Sequence, residues 1–194
     1  MSAKKSNYVL ESKAESERLD KQSSSKAFDY KVELQFLNLT DEQDVLDAGC
    51  GSGIVANYIA KQSPSLTVVG WDFSQDRVHS ANEKYNETKN VRFTQKNLLS
   101  LEDTTDRFDA IICRFVLRHF SQSDAKNVIQ NLSRVLKPGG TLYCIDLEGL
   151  LSDVPNGSPF LRQTLKNFRE NDMFDFQVAR KMPSLLLEHG FENT

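Results

Sequence analysis

The chain has 194 residues, with 39% apolar and 26% charged side chains and only 9 Gly and 5 Pro, a size that fits one domain and a balance that excludes disordered, collagen-like and disulfide-stapled chains. The 24 Lys and Arg against 27 Asp and Glu leave a formal charge of −3. No basic field is present to hold a phosphate backbone, so nucleic acid is disfavoured as a partner.

Taken in chain order, the first 40 residues predict helices: a charged amphipathic stretch from Tyr8 to Asp20, a polar break at Gln22 to Ser25, then Phe28, Val32, Phe36 and Leu39 at helical spacing. After Thr40 the pattern changes to short apolar runs, each a buried strand. Val45 to Ala48 is the first, followed by a glycine turn and a helix carrying Ile54, Val55, Tyr58 and Ile59 that stops by Ser63-Pro64. Leu66 to Asp72 is a second strand and Val78, Ala81 and Tyr85 mark its helix. Val91 to Thr94 and Phe108 to Cys113 are the third and fourth strands. Ser121 to Asp124 matches a capping box opening a helix with Val128, Ile129, Leu132, Val135 and Leu136 on its apolar side. Lys137-Pro-Gly-Gly140 breaks that helix, and Thr141 to Leu147 is a fifth strand. Beyond a loop over 150 to 159, Phe160, Leu161, Leu165 and Phe168 predict one helix, and Pro183 to His189 another with Pro in its first turn. Strands alternating with helices imply a parallel α/β sheet.

No apolar run approaches the ~20 residues that span a bilayer. Residues 1 to 26 are rich in Lys, Glu and Ser without the apolar core of a secretory signal, so the expected location is cytoplasmic. Cys50, Cys113 and Cys144 are far apart and outside any C-x-x-C pair, which reads as reduced thiols rather than a zinc or redox set.

The stretch Val45-Leu-Asp-Ala-Gly-Cys-Gly-Ser-Gly53 feeds a strand into a glycine turn at a helix N-terminus, the way α/β proteins bring backbone close to a ligand. A dinucleotide turn would read G-x-G-x-x-G. Here Gly49, Gly51 and Gly53 are spaced G-x-G-x-G, and Ile54 stands where the third glycine would be. Asp47, two residues before Gly49, would repel a pyrophosphate but suits a ligand bearing an ammonium and a sulfonium, which S-adenosylmethionine has. Asp72 ends the second strand, where a carboxylate can accept ribose hydroxyls, and the Phe73 ring after it can lie against adenine.

Residues 45 to 53 resemble the cofactor loop of the Rossmann-like (class I) S-adenosylmethionine-dependent methyltransferases. Asp72-Phe73, Gln95-Lys-Asn97-Leu98, the run from Phe108 through Arg114 to His119-Phe120, and Leu132 to Leu142 match later motifs of that family in order. The resemblance implies a doubly wound, mostly parallel sheet of order 3-2-1-4-5 and S-adenosylmethionine as cofactor. It also implies a small or medium organic methyl acceptor, and cofactor contacts from Asp47, Gly49, Cys50, Gly51, Gly53, Asp72, Phe73, Asn97, Leu98 and Arg114. Tyr8-Val-Leu10, Glu17-Arg18-Leu19 and Gln22 resemble the leader of the subgroup acting on small molecules, whose first helices cover the cofactor; this adds Arg18. The family's sheet ends in an antiparallel hairpin after the position of His189-Gly-Phe191, where this sequence stops, so truncation is expected. The implied layout is an N-terminal helical cap over 1–40, a cofactor-binding core over 41–149, and a helical lid with the start of a C-terminal part over 150–194.

Methyl transfer needs a base only when the nucleophile is protonated. His119, just past the fourth strand, is the candidate, with Asp146 and Glu148 comparable. His79 and His189 read as surface or packing residues. Two alternatives stay open: a cofactor-binding module that does no chemistry, and a nicotinamide dehydrogenase, which would share the fold and Asp72. Tyr85-x-x-x-Lys89 has a dehydrogenase spacing but lies on a helix far from any nicotinamide.

Overall fold

A computed structural model describes residues 29–101, 103–148, 158–170 and 177–192, together with Arg18, Lys21, Ser25 and Asp175; the side chains of 165 and 168–170 are not described. The expected helix over Tyr8 to Asp20, Phe28, and Phe174 and Phe176 lie outside the described residues, apart from Arg18.

Five parallel strands form one sheet of order β3-β2-β1-β4-β5: β1 Asp44–Ala48, β2 Thr67–Asp72, β3 Val91–Gln95, β4 Phe108–Arg114 and β5 Leu136–Ile145. Helices α2 (Ile54–Ala60), α3 (Gln75–Lys84) and α4 (Gln122–Val135) connect them, after a short α1 (Tyr30–Glu33); α5 (Pro159–Glu170) and α6 (Val178–Glu188) follow β5. None of these helices is long and apolar enough to cross a membrane. Because strand side chains alternate, the central strands feed two cores. Leu46, Val69, Trp71 and Ile111 face α4 and α6, while Val45, Val68, Ala110 and Ile112 face α2, α3 and the Tyr30–Leu34 segment. This double burial is why the strands read as apolar runs.

Three local expectations are corrected. The N-terminal apolar face is Tyr30 and Leu34, which are buried, and not Val32 and Phe36, which are 57% and 71% exposed. Tyr30 stacks edge-on against Tyr58 at 5.2 Å, and the helical stretch ends in a tight turn at Phe36 where Leu37 becomes extended. Next, β5 begins at Leu136, directly after α4, instead of at Thr141, and ends at Ile145. Its partner positions jump from Phe108↔Leu136 to Ala110↔Thr141, so Lys137-Pro-Gly-Gly140 is absorbed as a bulge within the strand. Finally, Pro183 lies inside α6, which starts at Val178. Carboxylates draw the start back: Asp175 accepts from the Gln177 backbone N–H at 2.9 Å and Glu148 from that of Arg180 at 3.1 Å. The cap of α4 matches expectation, with Ser121 Oγ accepting from the Asp124 N–H at 3.1 Å.

Candidate functional site

At the carboxyl ends of β1, β2 and β4 the chain turns through Gly49 to Gly53 into α2. The N–H groups of Gly49 and Cys50 both donate to the Trp71 carbonyl, at 2.8 and 2.9 Å, which folds the turn back onto β2. Gly49, Gly51 and Gly53 all have positive φ, of 79°, 54° and 77°. At two of them the space also demands glycine: a Cβ on Gly49 would sit 2.5 Å from Val116, and one on Gly53 2.6 Å from the Phe93 ring. The turn is thus wedged between β4's exit and β3.

Both aspartates converge on it. Asp47 is 3% exposed, and its Oδ2 accepts from the Ala56 N–H at 3.1 Å in the first turn of α2. Burial pushes its carboxyl up to about 7; the Ala56 bond and the Arg114 guanidinium pull the other way, and the Asp72 charge adds to the rise. A carboxylate held there is short of positive charge. Asp72, 6% exposed, accepts from Gly51 N–H at 2.8 Å on Oδ2, and from Ser74 N–H at 2.9 Å and Arg77 at 3.4 Å on Oδ1. A carboxylate has about four acceptor sites, so Asp72 can hold the turn and still accept a ligand hydroxyl.

Phe73, next along, is 48% exposed. Asn97 accepts from Leu99 N–H at 3.0 Å and so shapes the loop after β3, where Leu98 is buried and its carbonyl is held at 2.9 Å by Asn131 of α4. Cys50 brings only its backbone to the turn. Its Sγ would lie 2.9 Å from a Cβ on Gly70, within the core beneath the turn, and burial pushes the thiol well up. Its side chain is directed into packing.

Beyond β4, Phe115 takes φ 57°, unusual for an aromatic residue, while its N–H continues the ladder to the Ile145 carbonyl at 2.7 Å. The guanidinium groups of Arg114 and Arg118 lie 4.1 and 4.9 Å from its ring centre. Each is tied to a carboxylate: Arg114 Nε to Glu33 Oε2 with Nη2 to Oε1 at 3.2 Å, and Arg118 Nε to Asp146 Oδ1 at 3.7 Å. His119 closes the tight turn Leu117–His119. Burial, then the charges of Arg118, Arg77 and Arg18, bring its pKa down to about 4, while a backbone contact with Phe115 opposes this. Its ring is neutral at pH 7. Arg18 is exposed and acts on this patch through its charge.

The structure therefore gathers Asp47, the glycine turn, Asp72, Phe73, Arg114 and His119 at one edge. Asp146 and Glu148 are engaged elsewhere: Asp146 anchors Arg118 through both side chain and backbone, and Glu148 caps α6. His79 is exposed beside Glu83, His189 contacts the Leu185 carbonyl, and Tyr85 packs against Phe93, whose ring abuts Gly53. Residues the sequence did not single out are Glu33, Arg77 and Asn131. Only Arg77 had a local signal, its place three positions after Ser74, whose Oγ accepts from the Arg77 N–H at 3.4 Å and caps α3.

Residues 45–140 match a family described as methyltransferase domain. The chain is 29% identical over 165 residues to the demethylmenaquinone methyltransferase of Lactococcus lactis subsp. lactis, covering 76% of this chain and 65% of that one. It is 32% identical over 100 residues to the ubiquinone biosynthesis O-methyltransferase of Coxiella burnetii, covering 51% of this chain and 41% of that one. The chain thus spans less than two thirds of the length of either relative. In fold it is similar to a solved SAM dependent methyltransferase from Aquifex aeolicus, with TM-score 0.69, 23% identity, and coverage of 91% of this chain and 87% of that one. The matched segment runs from β1 into β5 and contains the glycine turn, both aspartates and the β4 exit; this segment belongs to the methyltransferase-domain family, with the Rossmann-like fold of the solved S-adenosylmethionine-dependent enzyme.

Proposed function

We propose that the chain binds S-adenosylmethionine across the Gly49–Gly53 turn and transfers its methyl group to a small or medium organic acceptor. The observation that carries this reading is Asp47, a buried carboxylate at about 7 beside a turn of three left-handed glycines. A cationic ligand would supply the charge it lacks, whereas a pyrophosphate would be repelled, which disfavours the dehydrogenase reading. The other residues fit the same cofactor: Asp72 has acceptor capacity for ribose hydroxyls, and half-exposed Phe73 offers a ring face to adenine. When bound, the cofactor supplies a methyl group that is already electrophilic. What the chain contributes is alignment and exclusion of water.

His119, with its pKa near 4, is a weak base at neutral pH; we assign it to accepting a hydrogen bond that orients the acceptor. The two relatives are named for demethylmenaquinone and ubiquinone biosynthesis, which supports an acceptor with a hydrophobic body. The formal charge of −3 supports a small molecule over nucleic acid. All three cysteines are free, in keeping with a reducing, cytoplasmic setting.

Calorimetric titration with S-adenosylmethionine and S-adenosylhomocysteine tests the cofactor. Absence of binding by either at millimolar concentration to folded protein overturns the reading. The engagement of Asp146 and Glu148 and the weak basicity of His119 favour a second reading, a binding module without chemistry. Formation of S-adenosylhomocysteine with any acceptor in a quinol and phenol panel decides against it.

A further inference from the structure

We propose that Cys113 and Cys144 form a dithiol site that a peroxide converts to a disulfide bridging β4 and β5. In the sequence the three thiols are scattered, but the sheet brings two of them to one rung: Cys113 of β4 is registered against Cys144 of β5. The bulge makes the pair. Had the ladder run on in step from Phe108↔Leu136, Cys113 would face Thr141. Registered residues of neighbouring parallel strands point to the same face, and here both side chains lie on the α4 and α6 side, Cys113 within the core and Cys144 packed against it. Neighbouring strands run about 4.8 Å apart, inside the span of about 4.4–6.8 Å over which disulfides join Cα atoms. Among the described residues no third ligand joins the two in a metal-binding group, so the chemistry of the site is that of two thiols.

The two sulfurs have different tasks. Cys144 is half-buried on an edge strand and Cys113 is 1% exposed, so the oxidant reaches Cys144. A hydrogen bond to Cys144, and then burial, hold the Cys113 thiol well above its ordinary range, with the charges of Cys144, Asp146 and Asp47 adding to the rise. Cys113 thus stays protonated while Cys144 reacts. The Cys144 thiolate attacks one peroxide oxygen and the O–O bond breaks, which leaves a sulfenic acid and releases hydroxide. The Cys113 sulfur then attacks the Cys144 sulfur, and its proton leaves with the displaced hydroxyl as water. Counting the proton that Cys144 gave up, the peroxide ends as two waters and both sulfurs are oxidised. Because the second thiol already stands in contact, the bridge forms ahead of the irreversible sulfinic acid. Cys50 lies in the core across the sheet and takes no part. None of these steps involves the cofactor, so the proposal stands apart from the reading above.

Intact mass and thiol counting on the folded chain, before and after incubation with hydrogen peroxide, test the proposal. The count is expected to fall from three to one, with loss of two hydrogen atoms from the monomer, a linked Cys113–Cys144 peptide in the non-reduced digest, and full return on adding dithiothreitol. Before oxidation, iodoacetamide is expected to label Cys144 roughly tenfold faster than Cys113 or Cys50. In Cys113→Ser the Cys144 sulfur, without its partner, is expected to pass on to the sulfinic acid. A parent chain that keeps three thiols, gains oxygen at Cys144, or links Cys50 instead overturns the proposal, and faster labelling of Cys113 overturns the order of attack. Should Cys113→Ser not fold, the presence or absence of the linked peptide in the parent decides alone.

Discussion

Replacing Asp47 with Asn tests whether the site is built at the expense of stability. In the ligand-free protein the carboxyl stands at about 7 against an ordinary 3.8, chiefly because of burial. A carboxyl raised on folding contributes stability that is complete below its unfolded pKa and is lost as pH rises through the folded one, here from about pH 4 to pH 7. At roughly 1.4 kcal/mol for each pH unit between the two values, the loss has a ceiling of about 4 kcal/mol, and water penetration on ionisation reduces it, so about 2–4 kcal/mol is expected. Asn keeps the bond from Ala56 N–H and cannot ionise. Urea unfolding at pH 5 and pH 8 supplies the comparison and spans about two of those pH units, so Asp47→Asn should exceed the parent by about 1–3 kcal/mol more at pH 8 than at pH 5, while cofactor affinity falls. His119 titrates in both proteins, so the difference between them isolates Asp47. An equal pH dependence in the two would refute the account of Asp47 as a buried carboxylate lacking a cation.

His119→Asn carries the opposite sign: a pKa lowered from 6.5 to about 4 means stability present above pH 6.5 and lost as pH falls towards 4. The parent's disadvantage relative to this variant should therefore grow between pH 6.5 and 4.5, and parallel unfolding curves over that range would contradict it. Gly53→Ala forces a methyl to 2.6 Å from the Phe93 ring at a φ of 77°, and should lower stability by about 2 kcal/mol or more with binding impaired; a normal thermal midpoint would count against the turn's packing. Asp72→Ala removes the acceptor of Gly51 and Ser74 N–H and should weaken cofactor binding by about 2–3 kcal/mol, which titration calorimetry reads; affinity within twofold of the parent would remove Asp72 from the site.

What was legible in the sequence was whatever local chemistry determines. Strands buried on both faces announce themselves as apolar runs, and the order of the sheet follows from the resemblance of the turn and its successors. Misreadings occurred where tertiary context overrides a local rule. Lys137-Pro-Gly-Gly140 has every mark of a loop, yet β4 pairs on both sides of it and the extra residues become a bulge. Val32 and Phe36 are more apolar than Tyr30, but Tyr30 has Tyr58 to stack on. In the site, Asp47, Asp72 and the glycines sit in one contiguous signal or at a strand end. Glu33 with Arg114, Asn131 with Leu98 and Asp146 with Arg118 are pairs 81, 33 and 28 positions apart, and nothing in a single sequence links such positions.

The two ends of the sheet show independently which one is built for a ligand. At the amino ends, Asp44 and Asp109 share the Lys137 ammonium at 2.9 and 2.8 Å, and Asp109 also accepts from the Asp44 N–H at 2.8 Å. Burial works against the Asp109 carboxylate, but Lys137 and that N–H hold it below its ordinary range. Negative charge there has its partner within the chain. At the carboxyl ends burial raises Asp47, the Cys50 thiol and Asp146 instead, and Arg114, which acts on Asp47, is held by Glu33. A fold selected for stability alone would treat both ends as it treats the first. The Asp47 carboxyl, raised by burial beside a turn with no side chains of its own at Gly49, Gly51 and Gly53, marks the place where a cation from outside would complete the structure.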